Sequence, residues 1–433
     1  MAQSNHAVGR STDQETILEV RNASVTFDMD RGESRVLDDV DLDIHRQEIL
    51  GIVGESGSGK SMFASALLDA VVNPGVLTGD ITYYPRDDDP VELLELRDDE
   101  LKSLRWEEIS MVFQGAMSSF NPTMNVRDHF KETLRAHDYD VESSMDHARE
   151  LLSELYLEPD RVLDSYPHEL SGGMSQRALI ALSLVLEPDV LVMDEPTAAL
   201  DLLMQRSILS LLQNLQDKYD LTIVFITHDL PLVAGLCDRL SVLYAFEFVE
   251  YGPAEEIIEN PTHPYTRALL RAVPNLDASL ENMRPIDGTA PDPVNVPDGC
   301  SYHPRCPLAD EECRIEDPGF ADISEGHKSA CFHWEESADE IPLEFQSDHG
   351  TTDYEGRQSA DPVVSLRDTE VYFETEKQNL LDVFKSPDTV HAVDGVDLDI
   401  YENDVVALVG ESGCGKTTLG KTAIGAQRPT GGS

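Results

Sequence analysis

The stretch Gly54-Glu55-Ser56-Gly57-Ser58-Gly59-Lys60-Ser61 decides how the rest of this chain is read. It fits the pattern G-x-x-x-x-G-K-(S or T), in which glycines let successive backbone N–H groups point at phosphate oxygens. The apolar run Ile49 to Val53 before it reads as a buried strand, and Met62 to Ala70 after it reads as a helix. That strand–loop–helix order is the context the motif needs, because the helix N-terminus adds a positive dipole end at the same spot. Gly54, Gly57 and Gly59 would then shape a cradle, Lys60 would reach the β- and γ-phosphates, and the Ser61 hydroxyl would ligate Mg²⁺. The bland alternative, a glycine-rich turn that binds nothing, does not account for the flanking strand and helix.

Around this loop lie 433 residues, enough for two or three domains with sizeable cores. Lys and Arg total 32 against 83 Asp and Glu, a net charge of −51. Such a balance excludes a general nucleic-acid binder, which needs a basic face, and argues against direct docking on anionic lipid. A hydrophobic content of 40% excludes disorder of the whole chain, so the acid is expected to coat folded surfaces. An acidic coat suits a cytoplasm of very high salt, where screening removes self-repulsion, and a halophilic source is expected. No run of 18 or more apolar residues exists, and residues Met1 to Gln14 are polar with no signal segment, so a cytoplasmic location is expected. Four of the six cysteines cluster within residues 300–331, where a reducing compartment favours metal or cluster binding over disulfides.

Upstream of the loop, Thr16 to Phe27 and Val36 to Ile44 alternate as strands of an antiparallel sheet beside the nucleotide. Phe27 either stacks on an adenine ring or fills a small core. Downstream, Asp80 to Tyr84 is a short strand, Arg86 to Asp89 an acidic turn, and Ile109 to Phe113 a strand ending in Gln114. Asn125 to Leu157 has helical spacing and predicts a helical subdomain. In Leu170-Ser171-Gly172-Gly173-Met174-Ser175-Gln176-Arg177, Ser171 is placed to cap a helix running to Leu186, and the glycine pair is a second candidate anion site. Val190 to Met193 is a buried strand ending in Asp194-Glu195. There the first carboxylate can hold Mg²⁺ and the second can act as general base on an attacking water. Leu221 to Ile226 is another strand, leading into Thr227-His228-Asp229. A lone His is more often structural, but His228 lies where parallel α/β sheets collect their active residues.

Lys60, Gln114, Ser171-Gly172-Gly173, Asp194-Glu195 and His228, in that order, resemble the nucleotide-binding domain of ATP-binding cassette (ABC) transporters across residues 16–257. The resemblance implies an α/β P-loop cassette: a mostly parallel core sheet flanked by helices, an antiparallel β subdomain and a helical subdomain. It implies that Ser171, Gly172 and Gly173 form the signature, Gln114 the Q-loop that also reaches Mg²⁺, and Ala199-Leu200-Asp201 the D-loop. His228 then corresponds to the switch histidine and Phe27 to the adenine-stacking aromatic. Met174 stands where many members have Gln. Two such domains close head to tail over two ATP molecules, each signature binding the γ-phosphate held by the other.

Residues 258–342 read as an extension. Asn260-Pro261-Thr262-His263-Pro264-Tyr265-Thr266-Arg267-Ala268-Leu269-Leu270 resembles a segment of peptide and nickel importers, or is a Pro-rich exit turn before an ordinary helix. Phe113-Gln114-Gly115-Ala116-Met117, Asn121-Pro122 and Glu55 resemble the dipeptide/oligopeptide branch. Cys300, Cys306, Cys313 and Cys331 are spaced C-x5-C-x6-C-x17-C among prolines. Four thiolates on irregular backbone suit tetrahedral zinc or a four-iron cluster, although the C-x2-C pairs of zinc ribbons are missing. Peptide-importer ATPases are similar here, which implies a 4Fe–4S cluster, with zinc or free thiols as alternatives. His303, His327 and His333 are expected to be bystanders. Because the four cysteines lie outside the ATPase core in sequence, their loss is expected to harm assembly or stability before phosphate chemistry.

Residues 343–362 read as an acidic linker, after which the chain repeats itself. Val36 to Ile44 returns as Ala392 to Ile400, Phe27 as Phe373 with an insertion around Leu380 to Ser386, and the loop as Gly410, Gly413, Gly415, Lys416 and Thr417, with Val405 to Val409 expected as the strand before it. The organisation expected is a tail (1–14), a cassette (15–257), the extension (258–342), the linker (343–362) and the start of a second cassette (363–433). The sequence stops at Ser433 before a second Q-loop, signature or carboxylate, so one chain is expected to lack a complete hydrolytic site. The function expected is an ATPase energising import of di- or oligopeptides, at the cytoplasmic face of the membrane. Its expected partners are two membrane-spanning permease subunits, an external binding protein behind them and a second cassette. Import of nickel or another small solute, a soluble ABC ATPase of DNA repair or translation, and an inactive interaction fragment are the alternatives.

Overall fold

The alternating pattern of the first strands builds one sheet of the protein. In a computed structural model, which describes residues 15–115, 119–198, 200–273, 286–343, 361–374, 389–410 and 413–433, β1 (Thr16–Met29) and β2 (Gly32–His45) form an antiparallel hairpin. Their inward residues, Val20, Val25, Leu37, Val40 and Ile44 among them, are buried. β4 (Val76–Tyr83) pairs with β1, and β5 (Val91–Glu92) completes a four-stranded sheet of order β2-β1-β4-β5.

The second sheet carries the phosphate-binding loop. Its strands β3 (Ile49–Val53), β6 (Ile109–Val112), β7 (Val190–Asp194) and β8 (Thr222–Thr227) are buried at every position. Near-continuous apolar runs of this kind mark parallel strands covered on both faces. β9 (Arg239–Tyr244) pairs parallel with β3, and β10 (Glu247–Pro253) folds back antiparallel on β9. The extension then adds β11 (Ala321–Ser324) and β12 (His327–Ser329), giving eight strands in the order β11-β12-β10-β9-β3-β8-β7-β6. Residues of the extension therefore continue the central sheet. No helix among the described residues is long and apolar enough to cross a membrane.

Local details differ from the sequence expectation where backbone chemistry intervenes. The helix after the loop is Lys60–Ala66, shorter than Met62 to Ala70, because Asp69 takes a left-handed φ of 44°. The region from Asn125 to Leu157 is two helices, Val126–Ala136 and Val141–Glu154. Asp138 at φ 58° ends the first, and the Asp140 carboxylate accepts from the Ser143 N–H at 3.0 Å to cap the second.

Residues 1–348 and 349–433 form separate compact units. The second unit pairs β13 (Val364–Glu374) with β14 (Thr389–Ile400) antiparallel and adds the helix Lys416–Ala423. Val405 to Val409, expected as a strand like Ile49 to Val53, has no strand conformation. The expected tail 1–14, residues 344–360 of the expected linker, the insertion at 380–386, and Ala116, Met117, Ala199, Glu411 and Ser412 lie outside the described residues.

Candidate nucleotide site

Four neighbouring parallel strands, β3, β8, β7 and β6, end on one side of the sheet, and each delivers site residues at its carboxyl end. This is where open α/β sheets bind ligands. After β3 the loop turns through Gly54 at φ 156°, Gly57 at 83° and Gly59 at 108°. A Cβ on Gly59 would lie 2.6 Å from the Val36 carbonyl oxygen, so the loop can seat on β2 only as glycine. A Cβ on Gly57 would meet nothing within 4 Å, which leaves open space over the backbone for a ligand. Lys60 is buried, and its ammonium donates to the carbonyls of Gly54 (2.9 Å) and Glu55 (2.7 Å). Burial lowers the Lys60 pKa, and the charges of Glu195, Asp194 and Glu55 act against that.

Asp194 closes β7 beneath the loop. Its carboxylate accepts a hydrogen bond from the Ser61 hydroxyl, while its buried Oδ1 has no partner among the described residues. Burial raises its pKa. A hydroxyl and a buried, partly unsatisfied carboxylate are a donor set that fits Mg²⁺, whose charge would offset that burial. Glu195 follows at a left-handed φ of 46°, its N–H donating to the Ile226 carbonyl at 3.0 Å. Its two carboxylate oxygens are both held: the Gln114 amide donates to one at 2.6 Å, and His228 Nδ1 lies 2.8 Å from the other. Lys60, Ser61, Gln114, Asp194, Glu195 and His228 are thus one connected group.

The remaining expected residues lie apart from that group. Phe27 is half-buried, its ring against Gly75. Ser171 caps the helix Gly172–Leu184, its hydroxyl accepting from the Met174 N–H at 3.3 Å. Ser171 and Gly172 are exposed at that N-terminus, while Gly173 is buried where a Cβ would collide with Met204. Asp201 caps the helix Leu202–Tyr219 in the same way. In the second unit Gly410, Gly413 and Gly415 have φ of 151°, 83° and 92°, and Lys416 donates to the Gly410 carbonyl at 2.8 Å. Thr417 is the second residue of its helix, and Phe373 lies on β13, where it is exposed.

The four cysteines of the extension form no disulfide, and their thiols lie near enough to act on one another's charge. The Cys300 N–H donates to the Cys313 carbonyl at 2.9 Å, and burial pushes the Cys300 and Cys331 thiols up to about 12 and Cys306 to about 11. His333, expected as a bystander, stands with Cys313 and Asp310, their ligand atoms within 4.8 Å of one another. His327 instead faces the buried Glu250 at 2.9 Å, and His303 bonds the Cys300 carbonyl at 3.0 Å.

Two residues of the extension reach the loop in a way the sequence does not signal. The Glu55 N–H donates to the Tyr265 hydroxyl at 2.9 Å, and the Glu55 carboxylate is gripped by both terminal nitrogens of Arg305, at 2.7 and 3.1 Å. Tyr265 belongs to the importer-like segment 260–270, where nothing local points to the loop, and no sequence pattern marks Arg305.

A phosphate loop, a capped signature-like helix and a carboxylate pair at adjoining strand ends define a P-loop ATPase of the ABC class. The ABC transporter family model matches residues 37–198 and again 393–433, and the oligopeptide/dipeptide transporter C-terminal region matches residues 249–313. The chain is 40% identical over 323 residues to the dipeptide transport ATP-binding protein DppD of Caldanaerobacter subterraneus, covering 74% of this chain and 98% of that protein. It is 41% identical over 320 residues to the oligopeptide transport ATP-binding protein OppD of Escherichia coli, covering 73% of this chain and 93% of that protein. A solved dimeric ATP-binding cassette, bound to ADP and Pi in a post-hydrolysis state, aligns over 55% of this chain and 99% of its own at 27% identity and a TM-score of 0.49. The chain belongs to the ATP-binding subunits of dipeptide and oligopeptide ABC transporters.

Proposed function

We propose that this chain hydrolyses ATP to drive import of di- or oligopeptides. The observation that carries the reading is the Glu195 carboxylate, fixed between Gln114 and His228 beside Lys60 and the Ser61–Asp194 pair. When ATP enters, Lys60 exchanges the Gly54 and Glu55 carbonyls for phosphate oxygens, and Gly57 lets the backbone approach closely. Ser61, Asp194 and Gln114 would hold Mg²⁺, which when bound neutralises charge on the phosphates. Glu195 takes the proton of the attacking water, and His228 keeps the carboxylate aimed. The water oxygen bonds to the γ-phosphorus, the bond to the bridging oxygen breaks, and ADP and phosphate result. The exposed Ser171 and Gly172 serve the ATP of an opposing cassette, and Phe27 receives the adenine.

The matched peptide-transporter region and relatives favour peptide cargo over nickel and over a non-transport ATPase. The partners are two membrane-spanning permease subunits at the cytoplasmic face, an external binding protein and a second cassette, which residues 363–433 begin within the same chain. The cysteines hold a 4Fe–4S cluster or, as the alternative, zinc. Anaerobically purified protein should then be brown with about four iron and four sulfide per chain, whereas colourless protein with zinc selects the alternative. The −51 charge fits concentrated salt, and the melting temperature should rise in molar KCl.

The deciding experiment reconstitutes the chain with its permease subunits and binding protein in vesicles. Short peptides should stimulate ATP hydrolysis and accumulate inside. Stimulation by nickel and not by peptides would reverse the cargo assignment.

A further inference from the structure

Glu55 is held by all three of its polar groups. Its carbonyl accepts from Lys60 at 2.7 Å, its N–H donates to Tyr265, and its carboxylate takes the two-pronged grip of Arg305. Only the first of these bonds must break when Lys60 turns to phosphate. The other two come from the extension, more than 200 positions away in sequence.

Arg305 is itself fixed. Its side chain is 5% exposed, its Nε donates to the Asp287 carbonyl at 2.7 Å, and one terminal nitrogen lies 3.4 Å from the Tyr244 hydroxyl. The guanidinium stands over the Tyr244 and Tyr302 rings at 5.7 and 6.0 Å. Tyr244, Tyr265 and Tyr302 pack on one another with centroids 4.4 to 5.5 Å apart. A planar, two-pronged donor on such a wall fixes both position and orientation of the carboxylate it holds.

We propose that Arg305 and Tyr265 are positioning residues for ATP: through Glu55 they hold the phosphate-binding loop in its cradle shape while Lys60 moves to phosphate. The extension thereby acts on the nucleotide site directly. Since Arg305 adjoins Cys306, disturbance of the cysteine element reaches the loop along this path.

The test is a double-mutant cycle on the full chain, reading equilibrium binding of Mg·ATP. Arg305→Ala should weaken binding about five- to tenfold, and Arg305→Lys by less, since it keeps charge without the fork. With Glu55→Ala already present, Arg305→Ala should add less than about twofold. A field effect of the arginine on ATP would persist in that background, and such persistence overturns the proposal. So does Arg305→Ala binding ATP like the wild type. Should Arg305→Ala not fold, Tyr265→Phe keeps the ring and removes only the acceptor for the Glu55 N–H. It should weaken ATP binding about threefold, and unchanged affinity there also overturns the proposal. This inference rests on residues 54–61 being the phosphate cradle, which Lys60→Ala tests separately. Insensitivity to Lys60 removes the cradle, whereas sensitivity to Lys60 without sensitivity to Arg305 or Tyr265 removes only the positioning role.

Discussion

The loop at residues 54–61 and its repeat at residues 410–417 share a shape but not a setting. Their glycines take matching φ values: 156° and 151°, 83° and 83°, 108° and 92°. In each, the lysine folds back on the first glycine's carbonyl, at 2.9 and 2.8 Å. In each, the third glycine is pressed on the carbonyl of the preceding hairpin strand, Val36 in one and Ala392 in the other. The strands leading in differ. Ile49 to Val53 is buried between β8 and β9, whereas Val405 and Val409 are 99% and 88% exposed. The resting glycine angles therefore follow from the glycines and a hairpin to lean on, and the first loop adds to these the Tyr265 and Arg305 grips on Glu55. A buried central strand such as β3 needs neighbours on both sides, and those come from distant sequence.

The largest effect that would break this comparison is chemical. Glu195→Gln should keep ATP binding and slow hydrolysis by roughly 10²–10⁴, because the first loop alone has a positioned carboxylate among the described residues. Equal turnover by the variant and the wild type, measured as phosphate release by active protein, would remove Glu195 as general base. Next comes stability. Ile52→Ala in β3, fully buried, should cost about 2–5 kcal/mol by chemical denaturation of the first unit. A loss near zero would mean that β3 is not the packed centre of its sheet.

Legibility of the sequence followed the range of the interactions. Lys60, Gln114, Asp194, Glu195 and His228 could be found because each sits in a short signature at a strand end, and the strands bring the signatures together. Caps were equally local: Ser171 was placed as a cap and caps its helix. The Arg305 grip on Glu55 was invisible, since a single arginine among prolines and cysteines carries no pattern and its partner lies 250 positions away. The short strands β11 and β12 were missed for the same reason: their place in the sheet is set by β10, with little periodicity of their own. The strand expected at Val405 to Val409 failed from the opposite side, because the local pattern was right and the tertiary partners are not among the described residues.

Affinity gives a third test of the pair of loops. Lys60→Ala removes a charge-assisted contact from a buried position and should weaken ATP binding by about ten- to a hundredfold, or about 1.5–3 kcal/mol. Lys416→Ala should change total ATP affinity less than about twofold, because its ammonium is exposed and competes with water. Comparable losses from the two variants would mean that the second loop binds nucleotide as well as the first.

The smallest expected effect sharpens the comparison most. Val405→Ala removes two methyls from a side chain that is already 99% in water, so it should shift stability by no more than about 0.5 kcal/mol. Amide exchange over residues 405–409 should be fast for the same reason, because no sheet partner takes those N–H groups among the described residues, while the amides of Ile49 to Val53 should be strongly protected. The glycine-shaped turn at 413–415 should look alike in both settings, because its geometry is local. If instead Val405→Ala cost as much as Ile52→Ala, and the 405–409 amides were protected, the segment would have acquired two strand neighbours in the working protein. Segments outside the described residues, a second chain or a partner subunit would supply them, and the repeat would then be a second nucleotide cradle completed by those neighbours.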